Sequence, residues 1–71
     1  MNQNEIILAH LQEFGTITPL QAMNNYGCMR LGARINELRK SGYSIRTDTV
    51  KQKNRYGKMT RYALYRMVND A

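Results

Sequence analysis

The sequence predicts an α+β fold in which three helices precede a two-stranded β-hairpin, all within one domain spanning residues 1–71. Three observations carry that expectation. Apolar residues recur at helical spacing in three segments, each followed by a glycine. Composition then switches to β-branched and aromatic residues over 43–52 and 59–67, on either side of a polar, glycine-containing loop. Finally, the basic charge gathers around that loop. Residues 1–50 hold five Lys and Arg against four acids, whereas residues 51–66 hold six and no acid.

The first helix is expected over 4–14, where Ile7, Leu8, Leu11 and Phe14 form one face. Asn2 or Asn4 serves as its N-cap, Glu5 sits in the first turn where the helix dipole favours an acid, and Gly15 stops it. Thr16 and Ile17 read as a linker. Thr18-Pro19 is a cap residue followed by a proline suited to the first helical position, so a second helix is expected over 19–25. Leu20 and Met23 lie three apart on its face, and it ends before Gly27. Two turns are not stable alone, so this helix must dock on its neighbours. The third helix is expected over 29–41, with Leu31, Ile35 and Leu38 as its buried stripe and Gly42 as its stop. Steps of about 100° per residue place Met29, Ala33, Asn36 and Lys40 opposite that stripe, with Arg30 and Glu37 beside them. Strands are expected over 43–52 and 59–67, joined by a loop at 53–58.

Several function classes drop out early. A chain of 71 residues buries only ~60% of its unfolded surface, too little to wall a deep catalytic cleft. It holds one His and one Cys, so neither an internal disulfide nor a tetrahedral zinc set of thiolate and imidazole ligands is available. No pair of groups is spaced for acid–base or nucleophilic work; no enzyme, metal or cofactor is expected. The longest apolar runs, residues 6–9 and 62–65, fall far short of the ~20 residues needed to cross a bilayer. The first basic residue is Arg30, so the N-terminus lacks the marks of a signal or transit peptide, and a cytoplasmic, nucleoid-associated protein is expected. The net charge of +6 points to a polyanionic partner.

Two short helices joined by a glycine-containing turn, the second with a basic outer face, make a helix-turn-helix pattern, and the basic hairpin after it reads as a wing. In this winged helix-turn-helix reading, helix 3 enters the major groove of double-stranded DNA. Arg30 pairs with guanine O6 and N7, Asn36 pairs with adenine N6 and N7, and Ala33 permits close approach. Arg34 and Lys40 complete the helix set, although Arg34 stands equally as the i, i+3 partner of Glu37. On the wing, Lys51, Lys53, Arg55 and Lys58 hold phosphates, and Tyr56 meets a sugar or the minor groove. Other residues take plainer roles. Arg39 is expected as a solvated charge, Glu37 in an intrahelical ion pair, and Tyr43, Tyr62 and Tyr65 as strand residues packed on the helices. Tyr26 joins Tyr56 as a candidate contact. Met23 and Met67 are expected in the core, His10 on the surface, and Cys28 as a small buried hydrophobe.

At residues 20–27, 30–45 and 61–67 the chain resembles the small winged helix-turn-helix proteins encoded by phages and prophages. The resemblance lies in Arg30-Leu31, Ala33-Arg34-Ile35, Leu38-Arg39-Lys40 and Gly42-Tyr43 at these offsets. It implies a DNA-binding domain used in transcriptional control. One departure is Met29, where such sequences often carry a capping Ser or Thr; the helix then starts elsewhere or leaves its end open to a phosphate. A monomer of this size covers one half-site, so a homodimer or tandem binding on DNA is expected for high affinity. The alternative partner is a host nucleic-acid enzyme, inhibited or recruited through the same basic surface.

Overall fold

The computed structural model describes residues 2–68. Along the chain run α1 (Gln3–Phe14), β1 (Thr16–Ile17), α2 (Pro19–Tyr26), α3 (Leu31–Lys40), β2 (Ile45–Lys53) and β3 (Met59–Met67). The hairpin expected from composition is present, and β1 extends it to a three-stranded antiparallel sheet in the order β1-β3-β2. Thr16 pairs with Arg66 and Ile17 with Tyr65. Two residues are too few to carry a periodic signal, so the stretch reads as linker until its distant partner is known.

The Asn2 side chain accepts the Glu5 N–H at α1's start, and Gly15, at φ 83°, closes its end. The buried stripe is Ile7, His10 and Leu11, which corrects two expectations. Phe14 is 62% exposed, because the helix ends there and the ring lies over the His10 ring, with centroids 4.7 Å apart, outside the core. His10 is only 6% exposed, since position 10 is one turn from Ile7 on the buried stripe. Its burial is satisfied by a 2.6 Å hydrogen bond between Nδ1 and the Tyr26 hydroxyl of α2.

A reciprocal capping box opens α2: the Thr18 side chain accepts the Gln21 N–H, and the Gln21 side chain accepts the Thr18 N–H. The docking residue of α2 is Ala22, fully buried, with Tyr26 one turn on. Leu20 is 69% and Met23 43% exposed, so neither belongs to the core. A small residue at the contact lets α2 approach closely and leaves its two larger apolar side chains outside the core.

The third helix starts at Leu31, two residues later than its apolar spacing suggests. Arg30 is its N-cap and makes no side-chain capping bond, which leaves the first N–H groups of α3 open. Leu31, Ile35 and Leu38 are buried as expected, and Cys28 beside them is 1% exposed. With Ile7, Leu11, Ile17, Ala22 and Ile45 they form the core, against which Leu8, Tyr26, Tyr65 and Met67 pack. Tyr43 precedes β2 and is half exposed, not packed as a strand residue, because the strand begins only at Ile45. Tyr62 is likewise partly exposed, on the outer hairpin.

The hairpin register runs from Ile45 opposite Met67 to Lys53 opposite Met59. Its turn is set by Asn54, whose side chain accepts the N–H groups of Tyr56 and Lys58, and by Gly57 at φ 79°. Arg39 fastens the hairpin to α3. Its Nε donates to the Ile45 carbonyl at 2.9 Å and its Nη2 to the Thr47 hydroxyl at 2.8 Å. This side chain is therefore a strap between helix and sheet, where the sequence alone reads a solvated charge. The register of β2 supplies its acceptors.

Candidate nucleic-acid interface

Burial of Leu31, Ile35 and Leu38 leaves Ala33, Asn36 and Lys40 on the outward side of α3, with Arg30 exposed at its start. Arg34 and Glu37 lie on the flank toward α1. Arg34 Nη2 meets Glu37 Oε1 at 2.7 Å, and Asn4 of α1 donates to Glu37 Oε2 at 2.6 Å. The guanidinium of Arg34 is thus committed within the chain, while Arg30, Asn36 and Lys40 are exposed, Asn36 accepting only a 3.4 Å hydrogen bond from Arg39 Nη1.

Alternation along the hairpin divides its side chains between two faces. Lys51, Lys53 and Arg61 share the face of Ile45, Thr47, Tyr65 and Met67, the side that packs on the helices. Lys51 and Arg61 stand directly opposite one another. Like charges at such a position are unfavourable in the free protein and are relieved by an anion placed against them. Arg55, Tyr56 and Lys58 form the exposed turn, with Tyr56 at 83% exposure.

Arg46, Asp48 and Arg66 occupy the other face, where Asp48 meets Arg46 at 3.1 Å and Arg66 at 3.2 Å. The hydrogen bond from Arg66, reinforced by Arg46 and opposed by partial desolvation, holds the Asp48 carboxyl below its ordinary pKa. Two cations are thereby neutralised in part on the side away from α3. Among the described residues, Arg30, Lys40, Lys51, Lys53, Arg55, Lys58 and Arg61 make no ion pair, nor does Arg39, whose guanidinium is held by uncharged acceptors. The unpaired charge therefore lies on α3's outward side, on the helix-side face of the hairpin and at its tip.

Arg39 joins these two regions. It touches Asn36 Oδ1 at 3.4 Å on one side and Thr47 on the other, so the outward face of α3 runs across it onto the face that carries Lys51 and Arg61. Neither Arg39 nor Arg61 is singled out as a site residue by sequence reasoning, because both roles depend on strand register. Tyr26 leaves the candidate surface, since its hydroxyl is turned inward to His10. Among the described residues no group of His, Cys, Asp or Glu is placed to hold a metal ion, and no helix is long and apolar enough to cross a membrane.

A protein-family model described as a winged helix-turn-helix domain matches residues 2–70. No curated protein and no solved structure matches the chain.

Proposed function

The chain belongs to the winged helix-turn-helix domain family, and from that premise we propose that it binds double-stranded DNA sequence-specifically, as a small regulator of the phage or prophage type it resembles. The observation that carries this reading is the continuous surface from α3 across Arg39 to the hairpin, which bears unpaired cations and no unpaired acid. Helix α3 lies in the major groove, with Arg30 on a guanine edge, Asn36 on an adenine edge and Ala33 allowing the backbone close. Lys40, Lys51, Lys53, Arg55 and Lys58 hold phosphates, Tyr56 packs on a sugar, and Arg61 joins Lys51 on the same strand of the duplex. Arg34 reaches a phosphate only by leaving Glu37. The cytoplasm, at the nucleoid, is the setting for this activity. One domain spans one half-site, so high affinity comes from a pair of molecules or a tandem array on DNA.

Selection from a random duplex pool tests the reading. A preferred sequence should be enriched, and Arg30→Ala should relax the preference at a guanine, costing roughly 1–3 kcal/mol there. Capture of a single nuclease-treated host protein that duplex DNA fails to displace, with no duplex enriched, would replace DNA by a host nucleic-acid enzyme as the partner of this surface.

A further inference from the structure

Four of the large apolar side chains left in water gather at one place. Leu20, Met23, Met29 and Tyr62 line an open groove of about 670 Å³ between α2, the start of α3 and the hairpin. Met29 is 79% exposed, more than any of the other three. It lies outside α3 and contributes almost nothing to the core, so a polar residue there would serve the fold as well. Contiguous exposed apolar surface of this kind marks a contact site.

The position of the groove indicates what fills it. It opens beside Arg30, at the N-terminal end of α3, while Gln52 and Tyr62 wall it from the hairpin face opposite to that of Lys51 and Lys53. The groove therefore meets the surface assigned to DNA at the start of α3, where Met29 adjoins Arg30. Residues at the N-terminal end of the second helix of a helix-turn-helix meet base edges. Along the B-form major groove those edges present donors, acceptors and a single apolar feature, the C5-methyl of thymine. An unbranched thioether adapts readily to such a contact.

We propose that Met29, backed by Leu20 and Met23, is a specificity-determining residue that reads a thymine methyl beside the base contacted by Arg30. The inference rests on the DNA-binding reading above. A duplex selected from a random pool by the wild-type protein is the probe, with each thymine replaced singly by deoxyuridine, which deletes the methyl and leaves base pairing intact. At one position the replacement should weaken wild-type binding about fourfold, the effect of exposing one carbon. Met29→Ser should be indifferent to that replacement, and Met29→Leu should keep the sensitivity. Both variants change an exposed side chain, and unchanged melting confirms their fold. If no replacement weakens the wild type by even about twofold, or if Met29→Ser stays as sensitive as the wild type, this inference is overturned while DNA binding stands. If no duplex is enriched at all, both are overturned.

Discussion

Salt offers the most direct quantitative test of the surface. Eight cations lack an acidic partner among the described residues; Arg39 is occupied by the Ile45 carbonyl and the Thr47 hydroxyl, and assigning Arg30 to a base leaves six for phosphates. Each neutralised phosphate contributes roughly −0.9 to the slope of log K against log salt, so the slope should be about −5. Raising salt fourfold then weakens binding about a thousandfold. Lys51→Ala should flatten the slope by about one unit, and removing Arg61 as well should take away a second. Arg46→Ala is the control, because Arg46 is held by Asp48 on the opposite face of the hairpin and should leave the slope nearly unchanged. Fluorescence anisotropy of a labelled duplex over a range of salt concentrations measures all four proteins. A slope shallower than about −2, or an Arg46→Ala effect as large as that of Lys51→Ala, would refute the division of charge between the two faces.

Three further outcomes bear on the fold. Tyr26→Phe removes the hydroxyl bonded to buried His10 and should cost about 1–2 kcal/mol in urea unfolding; an unchanged midpoint would show that this bond does not hold α1 to α2. Gly32→Ala should stabilise by roughly 0.4–1 kcal/mol, since a Cβ there meets only the Tyr65 hydroxyl at 3.5 Å, an ordinary contact, and α3 gains a better helix former; a loss of stability would contradict that geometry. Asp48 has a folded pKa below its ordinary 3.8, so its stabilising effect is complete above that value and is lost as pH falls through the lower folded pKa. Melting temperatures of wild type and Asp48→Asn should therefore differ near neutrality and converge in strong acid, and a constant gap across that range would remove Asp48 as the cause.

Much of this architecture is legible in the sequence because local chemistry and tertiary structure agree. Thr18-Pro19 starts α2, Gly15 and Gly27 end their helices, and Leu31, Ile35 and Leu38 face the core as their spacing requires. The departures come where a distant partner decides. His10 looks like a surface residue until Tyr26, sixteen positions away, supplies its hydrogen bond. Leu20 and Met23 have the hydrophobicity of docking residues, yet Ala22 docks α2 because closeness of approach favours the smaller side chain. Thr16 and Ile17 become a strand only beside Tyr65 and Arg66. Within the candidate site the cationic residues are readable from charge alone. The pairing of Lys51 with Arg61 and the bridging position of Arg39 follow from hairpin register, which the loop at 53–58 leaves undefined until the turn at Asn54 and Gly57 is formed.

Every residue from Lys51 to Tyr62 is exposed, so the outer hairpin is held by its own backbone ladder and turn, with no share in the core. Its amide protons can therefore exchange with solvent through local opening, while those of Ile35 and Leu38 await global unfolding. A polyanion laid along Lys51 and Arg61 would remove their mutual repulsion and slow that opening. Deuterium uptake in the outer arm thus becomes a residue-resolved gauge of occupancy, silent in the core and loudest where the protein meets its partner.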